Sequence, residues 1–414
     1  MRYVVYLCIW IACYALPAFA QSSPPDTLRL EQALQQALQE HPAAQTAQWR
    51  TEAAKGQIRQ AGLWPNPVIE VEAEEWSSGQ SPGGLFYRLS QDVLLGRKLH
   101  RQVQFARRTY EATQYEAFVV QLTVAQQLTE AYFNALVARR RMQLAEQLSG
   151  LATRLYATIT SMVEAGKLSP VEQQRVRVEK SRAEAQYLEA RRSYDVARSQ
   201  LAAALGQPIL PDVVLEDVLD TLRTPPPYDR LAEKLRAHPL LQQLEALQQA
   251  AQARERLERA RRWPDIGITV GTQQLADTPK RFLTVGFTLP IPLFHRNQGA
   301  IQAARATYQA TVAEWKNARI ALETSLQATY SRLLATYREL QLLKQEALPA
   351  AEQAYEAIRE GYQQGKFNVL DVLDSQRTFF EIEMQYVDVL ARYHRTYIQL
   401  QALTGQLLPF SSSN

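Results

Sequence analysis

The chain has 414 residues, and its 46 basic side chains stand against 42 acidic ones for a formal charge of +4. That length allows two or three domains, and the charge balance gives no electrostatic case for nucleic-acid binding. Its two cysteines, Cys8 and Cys13, both fall in an N-terminal leader, which removes a disulfide framework, thiolate metal ligation and cysteine catalysis from the mature protein.

In the leader, Arg2 supplies a thin positive start, Val4 to Ala15 are apolar, and Ala18-Phe19-Ala20 is a small-x-small cleavage site. The pattern predicts a secretory signal peptide over residues 1–20, with Gln21 opening the mature chain. A membrane anchor is the competing reading, but the apolar run is shorter than the roughly 20 residues a spanning helix needs. Ile11-Ala12-Cys13 loosely resembles a lipoprotein box, which would place acyl chains on Cys13; Trp10 fits that box poorly, and cleavage after Ala20 is the better match. After residue 20 no apolar run is long enough for a spanning helix, so any passage through a membrane has to be made by β-strands.

The first half, residues 21–207, begins with a segment over 28–62 rich in the helix formers Ala, Gln, Leu and Glu. Trp64-Pro65-Asn66-Pro67 ends that helix, because proline cannot continue it. Two strands follow, Val68 to Glu74 and Leu85 to Val93, around a turn of Ser, Gly and Pro from Ser77 to Gly84. From Arg97 to Gln147 there is neither glycine nor proline, and Phe118, Leu122, Ala125, Leu128 and Tyr132 follow one another at spacings of four or three. That stripe belongs to a helix packed alongside others. Continued to Ala165 it measures about 100 Å at 1.5 Å per residue. Gly166 to Pro170 breaks it, and Val171 to Leu205 makes the return.

A proline-rich linker, 208–227, leads to a second half over 228–406 and a tail over 407–414. Here helices are expected at 228–262, 297–364 (interrupted by Pro349) and 367–404, with strands at Ile266 to Gly271 and Phe282 to Leu289. The halves repeat one another collinearly. Gly166-Lys167-Leu168-Ser169 recurs as Gly365-Lys366-Phe367-Asn368, and Trp64-Pro65 recurs as Trp263-Pro264, both shifted by 199. Ala106-Arg107 and Tyr110 recur as Ala304-Arg305 and Tyr308 at 198, and His41-Pro42 as His238-Pro239 at 197. Small insertions in loops are the expected source of the slippage.

The strands alternate apolar and polar residues. Ile69, Val71, Leu85, Tyr87, Leu89, Ile266, Ile268, Val270, Leu283, Val285, Phe287 and Leu289 form one set; Glu70, Glu72, Arg88, Asp92, Thr269, Thr284 and Thr288 fall opposite. This is the pattern of a membrane barrel with Ile69, Val71, Leu85, Leu89, Ile268, Val270, Val285 and Phe287 facing lipid, and a soluble sheet packed on helices would show it equally. Trp64, Trp76, Trp263, Phe282 and Phe294 sit near strand ends, where interfacial aromatics belong. Four strands cannot close a barrel, and lipid does not tolerate open edges, so a barrel reading requires several copies to share one.

These residues resemble the TolC family of outer-membrane efflux proteins over nearly the whole mature chain. Gln60-Ala61-Gly62-Leu63-Trp64-Pro65-Asn66-Pro67, with Glu70 and Glu72, is similar to the heavy-metal CzcC/CusC-like branch, as is Leu289-Pro290-Ile291-Pro292-Leu293-Phe294 leading to Arg296-Asn297-Gln298-Gly299. Gly365 to Asp374 resembles the turn and helix start at the family's periplasmic tip. The resemblance implies a mainly α fold with transmembrane β: an internally duplicated protomer giving four strands to a shared trimeric 12-stranded barrel above a long periplasmic α-helical barrel. It also implies a homotrimer in the outer membrane working with a periplasmic adaptor (a membrane fusion protein) and an inner-membrane RND pump. The duct would be passive and carry heavy-metal cations or, alternatively, drugs and other organic compounds. By position, Asp371, Asp374 and Glu172 match acidic gate residues, and Tyr362 an aromatic that holds the closed tip; some relatives carry arginine where this chain has Phe367. Acids at a helix start are also favoured by the helix dipole alone.

Nothing points to an enzyme or a resident cofactor. His41, His100, His238, His295 and His394 are scattered without a His-x-x-x-His pair, and His41 and His238, each before a proline, are expected to shape helix boundaries. The other non-enzymatic reading is a periplasmic coiled-coil adaptor or scaffold, which should show one helical hairpin flanked by β-rich domains; this chain shows two hairpins.

Overall fold

The computed structural model describes residues 27–73, 84–210, 213–275 and 280–407. The leader with Cys8 and Cys13, Glu74, Trp76, most of the Ser77–Gly84 turn and residues 408–414 lie outside them. The first half contains β1 (Thr27–Leu28), α1 (Leu30–Glu40), α2 (Pro42–Ala61), β2 (Val68–Ala73), β3 (Gly84–Val93), α3 (Lys98–Glu164) and α4 (Pro170–Ala204). The second contains β4 (Val214–Leu215), α5 (Tyr228–Leu235), α6 (Pro239–Ala260), β5 (Ile266–Leu275), β6 (Arg281–Thr288), α7 (Gln298–Leu342), α8 (Leu348–Gln363) and α9 (Val369–Leu403).

The expected helices 28–62 and 228–262 are each broken in two. A residue before proline is pushed out of the α region, and His41 and His238 are extended, with ψ of 129° and 132°. Each imidazole then caps the helix it precedes: His41 Nδ1 accepts the Ala43 N–H at 3.2 Å, and His238 Nδ1 accepts the Leu240 N–H at 3.1 Å. Both histidines therefore shape helix boundaries, as their positions suggested.

In α3, Leu122, Ala125, Leu128 and Tyr132 are buried, while Phe118 is 47 % exposed.

The strands β2-β3-β5-β6 make one antiparallel sheet. Ile69 stands opposite Leu89, Leu89 opposite Val270, and Val270 opposite Val285; in the next rows Val71 faces Tyr87 and Ile268 faces Phe287. Directly paired residues share a face, so the apolar set lies on one surface, which Gln91, Thr272 and Gln274 also share. Glu70, Arg88, Gly271 and Thr284 form the matching row behind it, with Arg88 Nη1 2.7 Å from Glu72. Ile69 and Phe287 are each 75 % exposed, so the apolar face is bare in a single chain.

The outgoing arms of the two hairpins differ. A π-turn, Leu343–Ala347, joins α7 to α8 just before Pro349. At the shift of 198, buried Leu128 matches buried Leu326, and Tyr132 matches Tyr330; by Gly166 and Gly365 the shift is 199. Both segments are helical in between, so this slip is not a loop insertion as the sequence suggested. It is one extra residue inside a helix, taken up by the wider turn, whose position also eases the missing N–H of Pro349.

The linker also does more than connect. Its residues 213–223 lie across α3 and α9 as a belt, beginning with the parallel pair β1–β4. The Tyr132 hydroxyl sits 2.9 Å from the Leu28 carbonyl oxygen and 3.0 Å from that of Glu216. Asp220 accepts from Arg140 at 2.6 Å and from the Tyr386 hydroxyl at 3.0 Å. Tyr393 Oη donates to the Arg223 carbonyl oxygen at 2.6 Å. The main core runs beneath, where Leu128, Leu136, Leu201, Leu219, Leu326, Leu333 and Leu390 are all at most 2 % exposed; each such leucine contributes about 1.5–3 kcal/mol.

Candidate functional site

The far end of the molecule is built from two equivalent turns. Gly166 and Gly365 end their helices at φ of +72° and +76°, and Lys167 and Lys366 donate their N–H back to the carbonyl oxygens of Met162 and Gly361. Only glycine takes this left-handed position at no steric cost.

The return helices start differently. In α4 the Ser169 Oγ accepts the Val171 N–H at 3.3 Å, and Pro170 occupies the first turn. In α9 a capping box operates: Asn368 Oδ1 accepts the Asp371 N–H at 3.0 Å, and Asp371 Oδ2 accepts the Asn368 N–H at 2.8 Å. The Asp371 carboxylate is thus committed to its helix start on one oxygen. Asp374, one turn on, is exposed.

Asp371 and Asp374 line a groove of about 1110 Å³ between α3, α4 and α9, together with Arg175, Glu179 and Arg377. Glu172 reaches this groove only through a neighbour: its Oε1 pairs with Arg175 at 3.1 Å, while its Oε2 is buried without a hydrogen-bond partner. Arg377 pairs with Glu381 at 2.7 Å, and that bond, with smaller contributions from Glu179 and Asp374, holds its guanidinium more firmly charged than usual. These interleaved arginines escaped the sequence reading, although the i,i+4 spacing of Arg377 and Glu381 is a recognisable signal.

Tyr362 connects the hairpins. Its hydroxyl donates to Met162 Sδ at 3.7 Å, and burial pushes its phenol pKa up. Around it Ile159, Val176 and Val369 form a small core of their own, with Leu155, Leu168 and Leu373 packed against it. The Phe367 ring lies on Gly361, so close that a Cβ there would sit 2.5 Å from the ring. The structure thus brings Asp371, Asp374 and Tyr362 to one end of the molecule and sets Glu172 beside them. Among the described residues, no three His, Cys, Asp or Glu side chains converge to hold a metal ion.

This geometry, two hairpins under one sheet, has known counterparts. The profile of the family described as "Outer membrane efflux protein" matches residues 33–207 and again 231–406. The cobalt-zinc-cadmium resistance protein CzcC of Cupriavidus metallidurans is 31 % identical over 92 % of this chain and 90 % of its own. The nickel-cobalt-cadmium resistance protein NccC of Alcaligenes xylosoxydans is 28 % identical over 77 % of this chain and 72 % of its own. In backbone, the chain is similar to CusC, at a TM-score of 0.76 and 19 % identity over 91 % of both chains. The chain belongs to the outer membrane efflux protein family: a duplicated outer-membrane duct with a periplasmic helical region, and not an enzyme.

Proposed function

We propose that three copies of this chain share one twelve-stranded barrel and form the exit duct of a tripartite heavy-metal efflux system. One observation carries the proposal: among the described residues the four-stranded sheet has a predominantly apolar face and two unpaired edges, β2 and β6. In lipid every backbone N–H and C=O needs a partner. Four strands are too few to close, while three copies supply twelve. Ile69, Val71, Leu85, Leu89, Ile268, Val270, Val285 and Phe287 then face lipid, and Glu70, Glu72 and Arg88 face the lumen. Exposed Val171, Val178, Leu188 and Val196 along α4 support side-by-side packing with helices of another copy. Residues 21–207 and 228–406 act as two staves, joined by 208–227.

The cargo is read as divalent cations such as cobalt, zinc and cadmium, from the 31 % identity to a resistance protein for those metals. Energy comes from elsewhere, through a periplasmic adaptor and an inner-membrane RND pump. Threefold rings of Asp371 and Asp374 would favour cations at the tip; Glu172 adds a further acid at the gate, and Tyr362 holds the closed arrangement. A strain lacking the gene should become sensitive to these metals while its tolerance of hydrophobic drugs stays unchanged. Drug sensitivity alone would assign the duct to organic cargo, and a detergent-independent monomer would sink the barrel.

A further inference from the structure

The ends of the strands carry a charge anomaly that the duct itself does not use. Where strands meet helices, over residues 56–67, 93–108, 254–265 and 289–305, the chain places 13 of its 46 basic residues and only 3 of its 42 acidic ones. All three acids are already engaged. Glu255 pairs with Arg259 at 2.7 Å, Asp265 with Lys98 at 2.6 Å, and Glu258 with Arg254 at 2.8 Å and Arg261 at 3.0 Å. Among the described residues, Arg59, Arg97, Arg256, Arg262 and Arg296 are exposed and make no salt bridge. Elsewhere the chain interleaves its charges.

These arginines sit at one level. Arg59 is in the last turn of α2, Arg256 one turn before the end of α6, and Arg97 and Arg296 directly precede α3 and the Asn297 cap of α7. With about 1.5 Å per residue, Arg59 and Arg256 fall within about 6 Å of their helix ends, a depth comparable to the headgroup layer on one side of a bilayer. Trp64, Trp263 and Phe294 share that level and are 57 %, 63 % and 90 % exposed. Exposed aromatics at the level of arginines that make no ion pair are the two components of an interfacial site for negative headgroups.

We infer that this collar binds the phosphate headgroups of anionic phospholipids in the inner leaflet of the outer membrane, and so fixes the duct's depth and orientation. The inference rests on the reading that the apolar sheet face meets lipid. Full-length protein in detergent is titrated with phosphatidylglycerol and with phosphatidylethanolamine of matched chains, and bound lipid is counted by native mass spectrometry. Phosphatidylglycerol should be held at least about tenfold more tightly, and the preference should collapse between about 0.1 and 0.5 M salt as screening shortens to a few ångströms. The triple variant Arg59→Gln, Arg256→Gln, Arg262→Gln should lose most of the preference. Arg177→Gln, Arg191→Gln, Arg230→Gln removes the same charge elsewhere and should keep it. Equal binding of both lipids by the unaltered protein, or an undiminished preference in the first triple variant, overturns the collar. Protein that enters neither micelles nor vesicles overturns the membrane reading and the collar with it, whereas normal insertion without lipid preference overturns the collar alone.

Discussion

The Tyr362 hydroxyl stands 3.7 Å from the Met162 sulfur, joining the second hairpin to the first. The O–H···S contact is weak, and the ring packs into the small core around Ile159, so most of the bond between the hairpins is apolar. Tyr362→Phe should therefore leave the conductance of reconstituted channels nearly unchanged. Tyr362→Ala removes the ring and should cost about 2 kcal/mol locally, below the 3–5 of a fully buried aromatic, and raise the open probability. Equal effects of the two variants would place the lock in the hydroxyl.

Asp371 and Asp374 can be separated by their bonding. Asp371→Ala breaks a capping box and should destabilise the tip by about 1 kcal/mol, with a change in cation preference. Asp374 takes no part in the cap, so Asp374→Asn should reduce cation preference at unchanged thermal stability. Reversal potentials across a salt gradient, read beside melting curves, distinguish these outcomes; an unchanged reversal potential in both variants removes the acids from the gate.

His394 gives the middle of the molecule a pH response. Its Nε2 lies 2.7 Å from the Leu219 carbonyl oxygen, and its ring stacks on Phe133 at 4.3 Å. Burial lowers its pKa from 6.5, partly offset by that hydrogen bond and by Asp220; His238 is lowered by burial too. The folded protein thus binds fewer protons than the unfolded chain just below pH 6.5. Stability should be full above that value, fall as pH drops through it, and level off below the folded pKa. Urea titrations between pH 7.5 and 5 should show this decline, with part of it absent in His394→Gln.

The π-turn predicts an unusual tolerance. Deleting Gln345 together with Pro349→Ala should restore a plain α-helix and preserve folding and the tip contacts. Deleting Arg154 in α3, which has no such turn, should rotate everything beyond it by about 100° and abolish folding. Circular dichroism and gel mobility of the oligomer report both.

How much of this the sequence disclosed depended on the range of each interaction. The absence of glycine and proline from Arg97 to Gln147 and the alternation around Arg88 act locally, and they place α3, β2, β3 and β6 within a residue or two where described, whereas β5 runs on to Leu275, four residues past the expected Gly271. His41 and His238 were legible because a following proline acts on its immediate neighbour. The belt over residues 213–223 was not, since its contacts with Tyr132, Tyr393 and His394 span 84 to 175 positions in sequence. Tyr362 was found by resemblance, but its partner Met162 carries no pattern that marks it. The slip from 198 to 199 is visible in the repeat, but it falls inside a helix only because the chain widens at Leu343–Ala347.

That slip bears on how the assembled duct can bend. Six hairpins around a ring would be alike if the two halves of the chain were, yet among the described residues only the second contains the widened turn, which interrupts the regular i→i−4 ladder. Stiff and compliant staves would then alternate around the circumference. In the proposed trimer the tube would lose its sixfold mechanical equivalence and keep a threefold one, so a dilating tip would behave like an iris whose leaves are of two kinds, every second one flexing partway along its length.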